Sequence, residues 1–281
     1  MNNALAILTL AAPLAIAALG LTVSLVLNEI DLSVGSMIGL GGAFAICLMS
    51  FWGIPWFLAI IATFLLAIGA GLCTGAMVAL SGANSLIITL GMATLLTGLE
   101  FSLTNQRTIY TGIDETYIAI GQSMILGLNV QVWVAAFITF VIWVLLEKTE
   151  AGRFMYASGS SPEASFLAGV SVTKYRIIGF VVVALCAALA GVLLTAQSAS
   201  AFSNSGQPYL LPAFASAFLG STMSTDGKFT AFGSLIAVLF IGVIQTGLTM
   251  LQLSTGSINI AQGGMLITAV LLSRIGRKSS K

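Results

Sequence analysis

Long apolar runs, broken by short polar stretches, set the pattern of this chain. Residues 4–27 are uncharged throughout, and a second run spans 32–51. Further runs cover 54–80, 86–104, 130–146, 177–199, 209–222, 229–251 and 258–273. About 20 apolar residues cross the hydrocarbon core as a helix, so the pattern predicts nine crossings. Two runs mark a crossing less clearly: 86–104, with Glu100 near its end, and 209–222, which is short enough to be tilted, broken or re-entrant. Residues 200–207 read as a turn, and 105–129 as a mixed, loop-like stretch. Two runs carry small residues every fourth position: Ala67, Gly71, Gly75 and Ala79, then Ala187, Gly191, Thr195 and Ala199. Such stripes let neighbouring helices approach closely in a membrane.

Polar residues cluster where the runs stop. The longest interruption, 147–176, holds Lys148, Arg153, Lys174 and Arg176. With the tail residues Arg274, Arg277, Lys278 and Lys281 it contains eight of the ten basic residues. The positive-inside rule places both stretches in the cytoplasm. The four runs between them return the chain to the same side, and five earlier runs leave Met1 outside. Within 147–176 the sequence marks a two-turn helix, with Ser160 or Ser161 as N-cap, Pro162 at the first helical position and Gly169 just past the end. Helices this short do not persist alone in water. Phe166 and Leu167 are apolar residues on an otherwise polar loop, so the segment reads as a docking site for a partner protein.

Composition narrows the class. The 281 residues are 58% hydrophobic and 7% charged, with net charge +1, against about 25% charged in soluble domains. The chain therefore reads as one all-α, polytopic membrane domain, 1–281. No basic patch suggests nucleic acid. Histidine is absent, no phosphate-binding loop or zinc motif occurs, and Cys47, Cys73 and Cys186 lie apart as expected buried thiols. These features argue against an enzyme, a metal site or a bound cofactor in this chain. Trp52, Trp56, Trp133 and Trp143 fall near run ends, as an aromatic belt would place them.

Glu29, Asp31, Glu100 and Glu147 also fall at run ends, as interfacial, solvated or capping carboxylates; Asp31 is placed to N-cap the second helix. Charge inside a span costs roughly 2.5–3.5 kcal/mol on insertion scales, and ion-coupled carriers accept it, so its absence argues against a self-powered transporter. Polar, uncharged groups within the spans are Thr89, Thr94, Thr97, Gln245, Thr246 and Gln262. Most such groups bond between helices; the alternative is a neutral lining for a polar solute. Glu29, Asp31, Ser33, Thr94, Gln245 and Gln262 are the pathway or gating candidates.

Four stretches occur in an order that resembles a known family: NEIDLSVGSMIGLGG (28–42), ITLGMATLLTGL (88–99), GRFMYASGSSPEASFLAGVSV (152–172) and GSTMSTDGKFTAFGSLI (220–236). They resemble the permease subunits of bacterial ATP-binding-cassette importers for ribose, related monosaccharides and autoinducer-2. The resemblance implies a permease of the bacterial inner membrane, paired with a second copy or a paralogue. It also implies cytoplasmic ATPase subunits (or one tandem-domain ATPase) that hold ATP and Mg, and an extracytoplasmic solute-binding protein. Residues 161–169 resemble the family's coupling helix, which gives Ser161, Pro162, Glu163, Ala164, Phe166, Leu167 and Gly169 that role. Family members usually carry one more helix upstream, and Asn28 and Glu29 stand where they have glycines. The rival reading is a stand-alone secondary transporter or channel for a small neutral solute.

Overall fold

The computed structural model describes residues 3–279 except Thr225 and Leu253. Its elements in chain order are α1 (Asn3–Val26), α2 (Val34–Trp52), α3 (Trp56–Ser81), α4 (Ser85–Thr104) and α5 (Glu115–Gln122). A hairpin of β1 (Met124–Ile125) and β2 (Leu128–Asn129) follows, then α6 (Val130–Trp143), which continues as a π-helical turn over Val144–Lys148. The chain closes with α7 (Glu150–Ser160), α8 (Pro162–Leu167), α9 (Val172–Ser198), α10 (Gln207–Thr222), α11 (Ala231–Met250) and α12 (Thr255–Ser279).

Seven of these helices are long and apolar enough to span a membrane. The other two expected runs are α10, of 16 residues, and the shorter apolar stretch Gly256–Leu271 of α12. Burial separates the long helices: 83% of the α2 window is enclosed by protein, but only 22% of that of α4. An apolar helix that the protein leaves uncovered faces lipid. Cys73 lies on such a face. It is exposed on α3 beside Leu72, whereas Cys47 and Cys186 are buried as expected.

The middle of the bundle is α9, with α1, α2 and α3 packed around it. Both small-residue stripes serve this packing. A Cβ on Gly71 would stand 2.7 Å from Val181 Cα, and one on Gly191 would stand 2.1 Å from the Ile38 carbonyl oxygen. Close backbone approach substitutes here for the hydrophobic drive that lipid removes.

Two ends emerge. At one, Ile30 N–H donates to Ser85 Oγ, Arg176 pairs with Glu29, and Tyr156 donates to the Phe229 carbonyl. At the other, Ile109 bridges Ala201 and Ser50 donates to the Thr111 carbonyl. The first carries Lys148, Arg153, Lys174, Arg176 and Lys228 and is termed the basic end; the elements alternate between the two as the parity of the spans requires.

The loops hold more structure than their composition suggests. The stretch 105–129 contains α5, capped by the Asp114 carboxylate on Thr116 N–H, and the small hairpin. The stretch 147–176 contains α7 as well as α8. Thr149 caps α7 at Gly152 N–H, and Gly152, Met155 and Ser158 form its buried edge. Asp31 does not cap α2: Ser33 occupies the N-cap position, and the Asp31 carboxylate instead accepts Ser33 N–H at 2.9 Å and Ser33 O–H at 2.6 Å. That closes the turn before the helix rather than its first turn.

Candidate functional site

Two helices begin inside the bundle, not at its rim, and this arrangement builds the site. Residues 27–33 run beside the start of α4, where Thr89 Oγ1 receives Leu32 N–H at 3.1 Å and donates to the Ile30 carbonyl at 3.2 Å. α2 therefore starts more than a turn above the basic end. From the opposite end, residues 199–206 descend along α4. Thr104 meets Ser203 at 3.2 Å, Glu100 Oε1 accepts Asn204 N–H at 2.8 Å, and Gln207 Nε2 donates to Ser36 Oγ at 3.3 Å. Ser36 also accepts from Thr97 at 2.9 Å. Thr97 lies about 18 Å along α4 from Ser85 at 1.5 Å per residue, so α10 starts within the span. The short run 209–222 is thus the helical half of a broken span that continues to the basic end, where Phe218 lies near Glu29 and Arg176. Broken helices of this kind line solute sites in transporters.

The cavity beside that segment has a volume of about 670 Å³ and lies between α1, α10, α11 and α12. Gln245 and Gln262, both named by the sequence, line it. Ser205, Tyr209, Thr246 and Thr249 add polar groups, and the remaining lining is apolar or aromatic. Among the described residues that line it, none carries a charge. The cavity can thus offer amide and hydroxyl hydrogen bonds with an aromatic face. It provides no counter-charge for an ion.

The other candidates lie elsewhere. Thr94 is exposed on the outer face of α4 and bonds back to the Leu90 carbonyl, away from the cavity. Glu29 and Asp31 are buried, with Ser33, in the α1–α2 break, which corrects the solvated interfacial reading. Glu29 Oε1 is 2.9 Å from Arg176 Nε and lines a second cavity of about 430 Å³ at the basic end. Among the described residues this ion pair alone joins separate elements; Arg153–Glu150 and Lys228–Asp226 are local. Glu100 is also buried, at 1% exposure, while Glu147 stays exposed and accepts from Trp143 Nε1 at 2.9 Å. Arg176, Glu100, Ser205 and Tyr209 are site residues that sequence reasoning missed.

At the basic end α8 projects from the bundle. Pro162 stands at its first position, and Gly169 has φ +83°. Val170 N–H donates to the Ser165 carbonyl and Gly169 N–H to that of Phe166, both at 2.9 Å, the paired bonds of a Schellman motif. Only Ser165 of the helix is buried, whereas Phe166 and Leu167 are 73% and 85% exposed. Ser161, Pro162, Glu163, Ala164 and Gly169 are exposed with them. The neighbouring Tyr156 hydroxyl, pushed up to about 12 by burial and then by the charge of Glu147, stays protonated to hold Phe229.

A family described as the permease component of a branched-chain amino acid transport system matches residues 3–273. The chain belongs to this permease family. The permease is also similar to the ribose import permease RbsC of Haemophilus influenzae, at 34% identity over 96% of this chain and 84% of that protein. The D-allose transport system permease AlsC of Escherichia coli is 31% identical over 88% of this chain and 75% of its own length. The autoinducer 2 import system permease LsrD of Enterobacter sp. is 33% identical over 92% and 80%. Among solved structures, PsaBC from Streptococcus pneumoniae in complex with Fab matches with a TM-score of 0.50. It is 16% identical and covers 98% of this chain and 89% of that one. That likeness concerns the fold alone.

Proposed function

We propose that this permease forms the membrane pathway of an ATP-driven importer for a small, neutral, polar solute, a monosaccharide or related polyol. The observation that carries the reading is the cavity of about 670 Å³ with Gln245, Gln262, Ser205 and Tyr209 on its wall and no charge among the described residues that line it. Sugar hydroxyls need hydrogen-bond partners and gain from an aromatic face, but need no counter-charge. The names of the similar permeases support the same solute class. The basic end faces the cytoplasm of the bacterial inner membrane, following the positive-inside rule.

The motor is a separate ATPase, as paired subunits or one tandem-domain protein, which holds ATP and Mg. It docks on residues 161–169. A second permease copy or a paralogue and an extracytoplasmic solute-binding protein complete the assembly. Nucleotide binding draws the ATPase domains together and displaces α8. The turn at 168–171 passes that displacement to α9, and α7 passes it to the π-helical end of α6. The cavity then opens to alternate sides.

The test is uptake of D-ribose, D-allose and a small polyol by the complete assembly in proteoliposomes. Gln245→Leu and Gln262→Leu each remove a hydrogen-bonding group, and about 1.4 kcal/mol corresponds to tenfold in apparent KM. The reading expects a KM rise of that order with assembly unchanged. If no pentose, hexose or polyol enters, or if both variants transport normally, the solute class or the cavity assignment is wrong.

A further inference from the structure

Glu100 is the one buried acid set within a spanning helix among the described residues, and a neutral-solute pathway gives it no direct task. It lies on α4, 1% exposed, with no lysine or arginine paired to it among the described residues. Buried ionisable groups at membrane depth are costly and mark function by default. Its Oε1 accepts the backbone N–H of Asn204 at 2.8 Å, and Asn204 has φ +65°. Left-handed backbone is unfavourable outside glycine and is tolerated best by Asn and Asp, so this link needs an external hold.

The surroundings are shaped to that hold. A Cβ on Gly39 would stand 2.7 Å from Glu100 Oε2, so glycine there makes room for the carboxyl group. A Cβ on Gly206 would stand 2.1 Å from the Gly35 carbonyl oxygen, so the descending segment is pressed onto α2 two residues after Asn204. Thr104–Ser203 and Gln207–Ser36 grip the segment on either side. The next residue, Ser205, lines the large cavity, as does Tyr209 four residues later.

We propose that Glu100 is a positioning residue: its carboxyl oxygen, by accepting Asn204 N–H, fixes the unwound half of the broken span so that Ser205 and Tyr209 form the cavity wall. It touches no solute and acts through the segment it holds. What matters is an acceptor at that reach, not a charge. The inference rests on the cavity being the solute pathway, but its test is read without transport.

The experiment places a thiol on the segment (Ser205→Cys) in the full chain within its membrane. Reaction with a membrane-impermeant, cationic methanethiosulfonate is timed against the same chain without the added thiol, and Thr246→Cys reports the opposite wall. With Glu100 intact the thiol introduced by Ser205→Cys should react slowly, since Ser205 is 4% exposed. Glu100→Gln keeps the acceptor and should leave the rate within twofold. Glu100→Asp keeps the charge but falls short by one bond, about 1.5 Å, and should speed the reaction at least fivefold, as should Glu100→Leu. The rate at Thr246→Cys should not change. Equal rates with Glu100 intact and with Glu100→Asp would overturn the proposal, as would a Glu100→Gln rate as fast as that of Glu100→Asp. Should Glu100→Leu fail to insert, the comparison of Asp with Gln decides alone. Failure of the pathway reading would appear separately, as sugar uptake indifferent to Gln245.

Discussion

Gly191→Ala adds one methyl group at the crossing of α9 and α2, and the structure fixes what it meets. The new Cβ would stand 2.1 Å from the Ile38 carbonyl oxygen, 2.8 Å from Gly42 N and 3.0 Å from Ile38 C. All three are backbone atoms of α2, so no side chain can swing away. Ordinary contact begins at 3.4 Å, so the helices must part by about 1.3 Å at this point. Gaps of that size forfeit a quarter to a half or more of each neighbouring contact's well depth, and the contacts of Gly41 with Ala188 and Gly42 with Thr195 lie alongside. Overpacking of this kind costs about 1–3 kcal/mol; alanine's better helix propensity returns up to about 1 kcal/mol. Three unyielding backbone atoms put the cost near the upper end, about 3 kcal/mol, so a net loss of about 2 kcal/mol is expected. At 2–4 °C per kcal/mol for a chain of 150–250 residues, that lowers the melting temperature in detergent by roughly 4–8 °C, read by size exclusion of a fluorescent fusion. Gly91→Ala on α4, where a Cβ meets nothing within 4 Å, should melt at or slightly above the parent. A Gly191→Ala protein as stable as the parent would refute the packing of α9 on α2.

Two further outcomes follow from the basic end. Arg176→Gln leaves Glu29 buried without its cation; breaking a fully buried pair costs about 3–5 kcal/mol, and the 26% exposure of the Arg176 side chain reduces the expected loss to about 1–2 kcal/mol. Adding Glu29→Gln should restore at least half of the lost melting temperature, and a double variant as unstable as the single would show that the pair is not the cause. Gly169→Ala forces a left-handed residue with a side chain, at about 1–2 kcal/mol. Hydrogen exchange at the Gly169 and Val170 amides should then quicken roughly tenfold, and unchanged exchange would contradict the Schellman closure of α8.

The spanning architecture and α8 were legible because each is written locally. Uninterrupted apolar runs define the helices, and Pro162 and Gly169 mark α8 within eight residues. α7 was hidden because Glu150, Gly152, Arg153 and Gly159 read as loop, although Thr149 and the three-residue spacing of Gly152, Met155 and Ser158 carry a helical signal. Asp114 before Tyr117 and Gly121 is the matching signal for α5. Glu100 was misplaced for a different reason. Its position near the end of a run suggests the interface, but its partner Asn204 lies 104 residues away, and only the descent of 199–206 into the bundle buries it. Gln245 and Gln262 were identifiable as polar groups within spans. That they share one cavity, while Thr94 faces outward, depends on helix rotation that apolar runs without a polar stripe do not encode.

The account stands or falls on whether this permease is driven through α8. The most direct measurement is ATP-dependent sugar uptake by the complete assembly in proteoliposomes, with the parent chain and with Phe166→Asp and Leu167→Asp combined. The account expects the double variant to insert normally, to lose the ATPase on purification and to show no ATP-dependent uptake. Normal uptake by that variant, or net solute accumulation by the chain alone, would contradict it.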